Sequence, residues 1–153
     1  MGRKMDKIQK LTINCIVLII FSSATFTDEL KDIIDSKKSS FEEIALDIWN
    51  YAELGYLETK SSNLLASELE ENGFIIQKGV AGIPTSFIAE FNNGGPVIGI
   101  LGEFDALPGL AQTNSPFKEV ANNETGAGHA CGHHLFGAAS AWAAVAILSL
   151  IHI

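Results

Sequence analysis

The sequence predicts an α/β fold in which helices cover a sheet, and three observations support this prediction. Residues 41 to 71 show the apolar spacing of amphipathic helices. Residues 74 to 101 contain short runs rich in β-branched and aromatic residues. The run from Leu135 onward contains no Asp, Glu, Lys or Arg. Helices, then a buried sheet, then another helix are typical of a layered α/β sandwich.

The composition indicates a globular, acidic domain. The chain has 153 residues, of which 47% are hydrophobic and 18% charged, so it is long enough for one core and is not disordered as a whole. From residue 25 onward it carries 6 Lys and Arg against 17 Asp and Glu, a formal charge of −11. Because an acidic surface repels phosphate groups, nucleic acid is not expected as a partner.

Residues 1–24 have the pattern of a secretory signal peptide. Basic residues extend to Lys10, an apolar core runs from Leu11 to Phe21, and small residues up to Ala24 precede a cleavage site. This core is too short to cross a bilayer of about 30 Å as a helix, although an uncleaved anchor is the alternative. We therefore expect export to the periplasm or the extracellular space, with no stable membrane partner apart from this segment.

The next residues predict a polar lead-in, residues 25–40, followed by two helices. Ser40 is the predicted N-cap of the first helix, and Gly55 is placed to end it. The second helix is predicted after Thr59 and ends at Asn72-Gly73. The apolar positions of the first helix are Phe41, Ile44, Ala45, Ile48, Trp49 and Ala52.

Three strands and a last helix complete the predicted domain. The runs 74–78, 85–91 and 96–101 are β-rich, and Asn92 to Gly95 predict a hairpin between the last two. Residues 96–101 are apolar on both faces, as expected of a central strand covered on each side. The uncharged run from Leu135 is rich in small residues, which favours a buried helix over a membrane span.

A cluster of soft metal ligands lies between residues 126 and 137, which include three of the four histidines. His129, Cys131 and His133 alternate, so in an extended segment their side chains point the same way. Imidazole and thiolate together suit zinc or a similar ion. The alternative is a glycine-rich turn with a buried cysteine and hydrogen-bonded histidines.

Two carboxylates, Glu103 and Asp105, directly follow the predicted central strand. Ligands of open α/β sheets bind beyond the carboxyl ends of the strands. The two side chains are placed to bind a metal or to orient a ligating imidazole. The alternative is a solvated acidic loop.

Together these stretches resemble metallopeptidase family M-twenty, in the amidohydrolase branch that includes aminoacylases and p-aminobenzoyl-glutamate hydrolases. The matching motifs are Gly-Glu-Phe-Asp-Ala-Leu-Pro-Gly-Leu at 102–110, Gly-Ala-Gly-His-Ala-Cys-Gly-His-His-Leu at 126–135, and Ala-Glu-Leu-Gly-Tyr at 52–56 with Glu58. The resemblance implies that residues 41–147 are the N-terminal portion of a zinc-exopeptidase-like α/β catalytic domain. Its sheet would be mixed and flanked by helices, and the lid and dimerisation domain would be absent.

The resemblance also implies roles for individual residues. Cys131 and His133 match metal ligands, and Asp105 matches a catalytic position whose carboxylate contacts the metal ligands instead of the metal. Glu103 stands where other branches carry a metal-binding His or an Asp, and Glu103, His129 and His134 are candidates to bind the metal or to support its ligands. His129 and His134 match motif positions without an assigned role, and related sequences often have Asp or Asn in place of His134.

The activity implied by the resemblance is metal-dependent amide hydrolysis. Two divalent ions, zinc or manganese, would activate water against an N-acyl or N-aroyl amino acid, such as p-aminobenzoyl-glutamate, or a dipeptide. The complete enzyme would be a homodimer or hetero-oligomer. The general base of the family is a glutamate downstream of the Cys/His motif, whereas no carboxylate follows Glu124 here. We therefore expect a truncated, inactive fragment.

Two other functions are alternatives: a non-catalytic metal- or ligand-binding module, and a cysteine hydrolase using Cys131. The second is weaker because a metal-bound thiolate is not free to attack. Residues 148–153 match one reading frame of a transposon end used in library preparation, which predicts a non-native tail.

Overall fold

The computed structural model describes residues 7–92 and 94–150, with side chains from residue 28 onward. The chain forms two compact units, Met1–Ser36 and Lys37–Ile153, and the predicted site lies in the second. The start of the predicted signal peptide and residues 151–153 of the predicted tail lie outside the described residues. No helix in the described part of the chain is both long and apolar enough to cross a membrane.

Helix α1 spans Lys7–Tyr51, so the predicted start at Ser40 is wrong. Residues 25–40 are helical because they contain neither glycine nor proline to interrupt the helix. The predicted apolar face is confirmed, since Phe41, Ile44 and Ile48 are all buried in the core. The helix ends at Tyr51, before Gly55, because the next residue, Ala52, has a φ of 42°.

Helix α2 spans Thr59–Glu71 and ends at Asn72, as predicted. Its N-terminus is capped from outside the helix rather than by its own Thr or Ser side chains. The Glu53 carboxylate accepts the backbone N–H groups of Lys60 and Ser61 at 3.0 and 2.9 Å, and the Ser61 hydroxyl at 2.8 Å. A negative charge on free N–H groups is favourable at this end of a helix.

The strand pairing differs from the predicted hairpin. Strand β1, Ile75–Lys78, pairs antiparallel with β2, Phe87–Glu90, in the register Ile75 opposite Glu90. The intervening turn is closed by the bond from the Gly79 N–H to the Ser86 carbonyl at 2.8 Å. Strand β2 therefore takes its partner from the preceding residues instead of from residues 96–101.

Residues 94–105 contain no strand, and Val97 is 97% exposed, so the predicted central strand is not formed in this chain. A strand apolar on both faces needs neighbours on both edges and cover on both faces, which no described element supplies. A second small antiparallel pair joins β3, Leu107–Pro108, to β4, Ala127–Gly128. Among the described residues the fold is thus helices with small antiparallel sheets, compatible with an α/β class, and the implied mixed sheet is not formed.

Helix α3 spans His133–Ser149 and supplies the third part of the core. Its small residues pack against α1 and α2, and the Trp142 ring stacks on Phe41 with 5.7 Å between ring centroids. The prediction of a buried helix is confirmed for this face, whereas Leu135 on another face is 58% exposed. The core residues are Phe41, Ile44, Ala45, Ile48, Leu65, Leu69, Ala138, Ala141 and Val145.

Candidate metal centre

The segment that carries Glu103 and Asp105 lies directly against α3. A Cβ atom on Gly137 would lie 3.0 Å from the Glu103 carbonyl oxygen and 3.0 Å from the Phe104 Cβ, so the glycine permits this close approach. One turn further along α3, the Ser140 hydroxyl donates to the Leu101 carbonyl at 2.9 Å. These contacts hold the segment beside the first turn of α3.

The other side of the segment is held by the turn after α1. The Ala106 N–H donates to the Glu53 carbonyl at 2.7 Å, and Leu54 forms a parallel bridge with Ala106. Because Ala106 follows Asp105 directly, this bridge and α3 together determine where the Asp105 carboxylate lies.

His133 lies between two carboxylates. Its Nδ1 is 2.7 Å from Asp105 Oδ1, and its Nε2 is 3.0 Å from Glu103 Oε2. The side chains of His133, Asp105 and Glu103 are 24%, 32% and 50% exposed, so the group is open to solvent on one side. Their ligand atoms lie within 4.8 Å of one another, close enough to share one metal ion.

The single donor and single lone pair of a neutral His133 ring explain why this arrangement fits a cation. A neutral imidazole has one N–H, which donates to one carboxylate and leaves a lone pair facing the other. The second contact sets that lone pair against the Glu103 carboxylate, and a cation held by both groups would make it favourable. A histidine that donates Nδ1–H to a carboxylate and keeps Nε2 for a metal is a recurrent arrangement in metal sites. Partly exposed ion pairs contribute only about 0–1 kcal/mol to stability, so stability alone does not explain the group.

Cys131 is exposed and lies outside this group. The predicted alternation of His129, Cys131 and His133 requires an extended segment, but residues 129–132 form a turn closed by the Gly132 N–H donating to the His129 carbonyl at 3.0 Å. His133 then begins α3. The structure therefore brings together Glu103, Asp105 and His133, while its turn directs Cys131 to solvent and His129 to the core.

His129 and His134 form a separate aromatic group with Trp49. The centroids of the two imidazole rings are 5.1 Å apart, and that of His134 lies 4.9 Å from the centroid of Trp49 in an edge-on contact. His129 is 2% exposed, and its Nε2 donates to the Ile48 carbonyl at 3.0 Å. The Nδ1 atoms of both histidines are buried without a hydrogen-bond partner among the described residues.

Burial lowers the pKa of both His129 and His134 below the ordinary value of 6.5. For His129 the nearby His133 lowers the pKa further, and the Ile48 carbonyl and Asp105 oppose the shift. For His134 the second cause is His129. A proton added to either Nδ1 would place a charge where no described acceptor receives it.

These lowered pKa values predict that the chain loses stability in mild acid. Below pH 6.5 the unfolded histidines bind protons that the folded ones exclude, so the free energy of unfolding falls as the pH drops from 6.5 through the folded pKa values. Urea unfolding at pH 7.5 and 5.5 measures the difference. His134→Asn should reduce the pH dependence, and an unchanged dependence in this variant would contradict the assignment.

Two glutamates that support the site, Glu53 and Glu58, were not among the predicted site residues. Glu58 is 8% exposed, and its carboxylate accepts the Thr85 hydroxyl at 2.6 Å. A Cβ on Gly55 would lie 3.8 Å from both a Glu58 and an Asp105 carboxylate oxygen, so Glu58 packs close behind the site. The motif at 52–58 was the available signal, but it does not reveal which groups these carboxylates contact.

A cavity of about 630 Å³ opens beside the turn after α1. It adjoins the metal group through Glu53 and Leu54, and none of Glu103, Asp105 and His133 lines it. Its lining residues are Asn50, Tyr51, Glu53, Leu54, Leu57, Lys60, Asn122, Asn123, Glu124 and Thr125.

Curated proteins of other organisms are similar to this chain in sequence. The chain is 40% identical over 118 residues to one of the subunits of p-aminobenzoyl-glutamate hydrolase from Escherichia coli, covering 77% of this chain and 24% of that protein. It is 31% identical over 104 residues to hippurate hydrolase of Campylobacter jejuni, covering 68% of this chain and 26% of the relative. It is also 31% identical over 108 residues to thermostable carboxypeptidase 1 of Saccharolobus solfataricus, covering 69% of this chain and 26% of that protein.

The chain spans about a quarter of the length of these relatives. No protein-family model matches it. The relatives are named as hydrolases of amide or peptide bonds, in agreement with the class of activity that the motifs indicate.

Proposed function

The chain belongs to the amidohydrolase branch of metallopeptidase family M-twenty, and from this premise we propose that Glu103, Asp105 and His133 form part of the metal site of an amide-bond hydrolase. The observation that supports the proposal most strongly is the position of His133 between two carboxylates, at 2.7 and 3.0 Å. In this arrangement His133 and Glu103 are the ligands. Asp105 orients the His133 ring.

The donor set suits a divalent ion such as zinc or manganese, because it combines an imidazole nitrogen with carboxylate oxygens. When bound, such an ion supplies the Lewis acidity that amide hydrolysis needs. Asp105 accepts the Nδ1 proton of His133 and keeps Nε2 free. The half-exposed Glu103 leaves the group open to a small substrate.

Cys131 as a further ligand and a second ion in the complete enzyme stay predictions from the family resemblance. In this structure the thiol is exposed and two residues away from His133 along the chain. We propose that the ligand set is completed by residues of a longer protein, since the relatives are about four times as long as the matched segment.

We propose an N-acyl or N-aroyl amino acid as the substrate class. Two relatives are named for such compounds, p-aminobenzoyl-glutamate and hippurate, and a third is named a carboxypeptidase. Export through residues 1–24 and assembly of the complete protein as a homodimer or hetero-oligomer are part of the same proposal.

Activity and metal content of the complete gene product test this function. Sequencing the locus and expressing its full product should give a protein that hydrolyses p-aminobenzoyl-glutamate or hippurate and loses that activity on chelation or in His133→Asn. The chain alone should show no turnover with added zinc or manganese. A full product that holds one tight ion and hydrolyses neither compound would support a metal-binding module instead, and turnover by the chain abolished by Cys131→Ala would contradict the inactive fragment.

A further inference from the structure

His129 makes two hydrogen bonds, one to the core and one within the turn before α3. Its imidazole Nε2 lies 3.0 Å from the Ile48 carbonyl oxygen, and its own carbonyl accepts the Gly132 N–H at 3.0 Å. The first bond spans 81 residues of sequence, whereas the second closes the local turn. His129 therefore closes the turn at 129–132 and also connects this turn to α1.

The partner of the imidazole is a backbone carbonyl in the core. Ile48 is fully buried in the last turns of α1, and its carbonyl also accepts the Ala52 N–H at 3.1 Å. A carbonyl only accepts, so His129 must donate and carries its proton on Nε2. This bond requires a donor at that distance from the backbone, which an aliphatic side chain of similar size does not supply.

The ring of His129 is also fixed by its neighbours. Trp49 lies 6.3 Å away and His134 5.1 Å away between ring centroids, and only 2% of His129 is exposed. The ring therefore has little freedom to turn. His133, four residues further along the chain, begins α3 at the end of this turn.

We propose that His129 is a positioning residue for the metal site: its hydrogen bond to Ile48 fixes the turn at 129–132, and the turn fixes His133 between Glu103 and Asp105. This inference rests on the proposed metal-binding function. It assigns His129 to the support of the site and not to the ligands, because its Nε2 already donates to a backbone carbonyl in the core.

Two substitutions separate the hydrogen bond from simple packing. His129→Gln keeps an N–H donor of similar reach, whereas His129→Leu keeps the volume without the donor. Because the Ile48 carbonyl retains the Ala52 N–H, neither variant leaves that carbonyl unpaired. Cobalt binding, followed by visible absorbance, is measured for the chain and for both variants, with thermal unfolding of each recorded in parallel.

The Leu variant should bind cobalt about tenfold more weakly, with the Gln variant close to the parent chain, since supporting partners of metal ligands contribute 10- to 100-fold in affinity. A folded Leu variant that binds cobalt as tightly as the parent would overturn the inference. Failure of both the parent chain and the full gene product to bind cobalt would instead overturn the proposed function.

A measurement without metal distinguishes failure of the positioning role of His129 from failure of the proposed metal binding. Nitrogen–proton spectra of the histidine side chains should show His129 in the Nε2–H form with slow solvent exchange. The His133 Nδ1–H signal should shift or broaden in His129→Leu and recover in His129→Gln. An Nδ1–H form of His129, or a His133 signal unchanged in the Leu variant, would overturn the positioning role even if a variant proved too unstable for metal titration.

Discussion

Asp105→Asn is expected to weaken zinc binding by the chain about 10- to 100-fold, the cost of removing a carboxylate that supports a ligating histidine. Asp105 Oδ1 lies 2.7 Å from His133 Nδ1, so its charge both orients the ring and increases the electron density at Nε2. An asparagine oxygen still accepts the proton but is neutral. Calorimetric zinc titration of the parent and variant chains measures the change.

Glu90→Gln is the matched control for this prediction. Glu90 is an exposed carboxylate at the end of β2 and lies outside the metal group, so the substitution removes the same charge without touching His133. Equal weakening in the two variants would mean that zinc responds to the net charge of the chain and that Asp105 has no specific role.

Gly128→Ala is expected to destabilise the chain by about 1–3 kcal/mol, the usual range for overpacking, or more because the obstacle is backbone. A Cβ atom on Gly128 would overlap the Leu110 carbonyl oxygen and lie 2.8 Å from its carbon. Strand β4 would have to move away from β3, and the turn that carries His129 follows directly. Urea unfolding measures the loss, and zinc affinity should fall with it.

Gly99→Ala provides the comparison for Gly128. A Cβ atom at position 99 meets nothing within 4 Å, and Gly99 does not have a positive φ. Its effect should stay within about 0.5 kcal/mol, as for most surface substitutions. Similar losses in both variants would show that the β4 approach to Leu110 is not the reason for a glycine at 128.

Local pattern was sufficient for the apolar face of α1 and for the end of α2. The apolar face from Phe41 to Ala52 and the end of α2 at Asn72 depend on neighbours a few residues apart, which a sequence displays. His133 and Asp105 lie together because the segment that carries Asp105 packs against the first turns of α3, the helix that begins at His133. Asp105 Oδ1 lies 2.7 Å from His133 Nδ1, and the roles implied for the two residues stay predictions.

The sequence pattern did not predict the pairing of β2 with β1 or the turn at Gly132. Residues 85–91 were predicted to pair with residues 96–101, whereas β2 pairs with β1 across the turn closed by Gly79 and Ser86. Cys131 was expected beside His133 because alternation assumes an extended backbone, whereas Gly132 has a φ of 85° and turns the chain. Helix α1 begins earlier than predicted because the residues before Ser40 are themselves helical. A serine can act as an N-cap only where the residues before it are not helical.

Zinc titration of the chain, observed through the side-chain signals of its histidines, tests the metal site most directly. The structure predicts that His133 responds first, with saturation at one ion per chain, while the buried rings of His129 and His134 keep their positions. A zinc-dependent change at His129 or His134 without one at His133, or no response from any of the three, would contradict a metal site built on Glu103, Asp105 and His133.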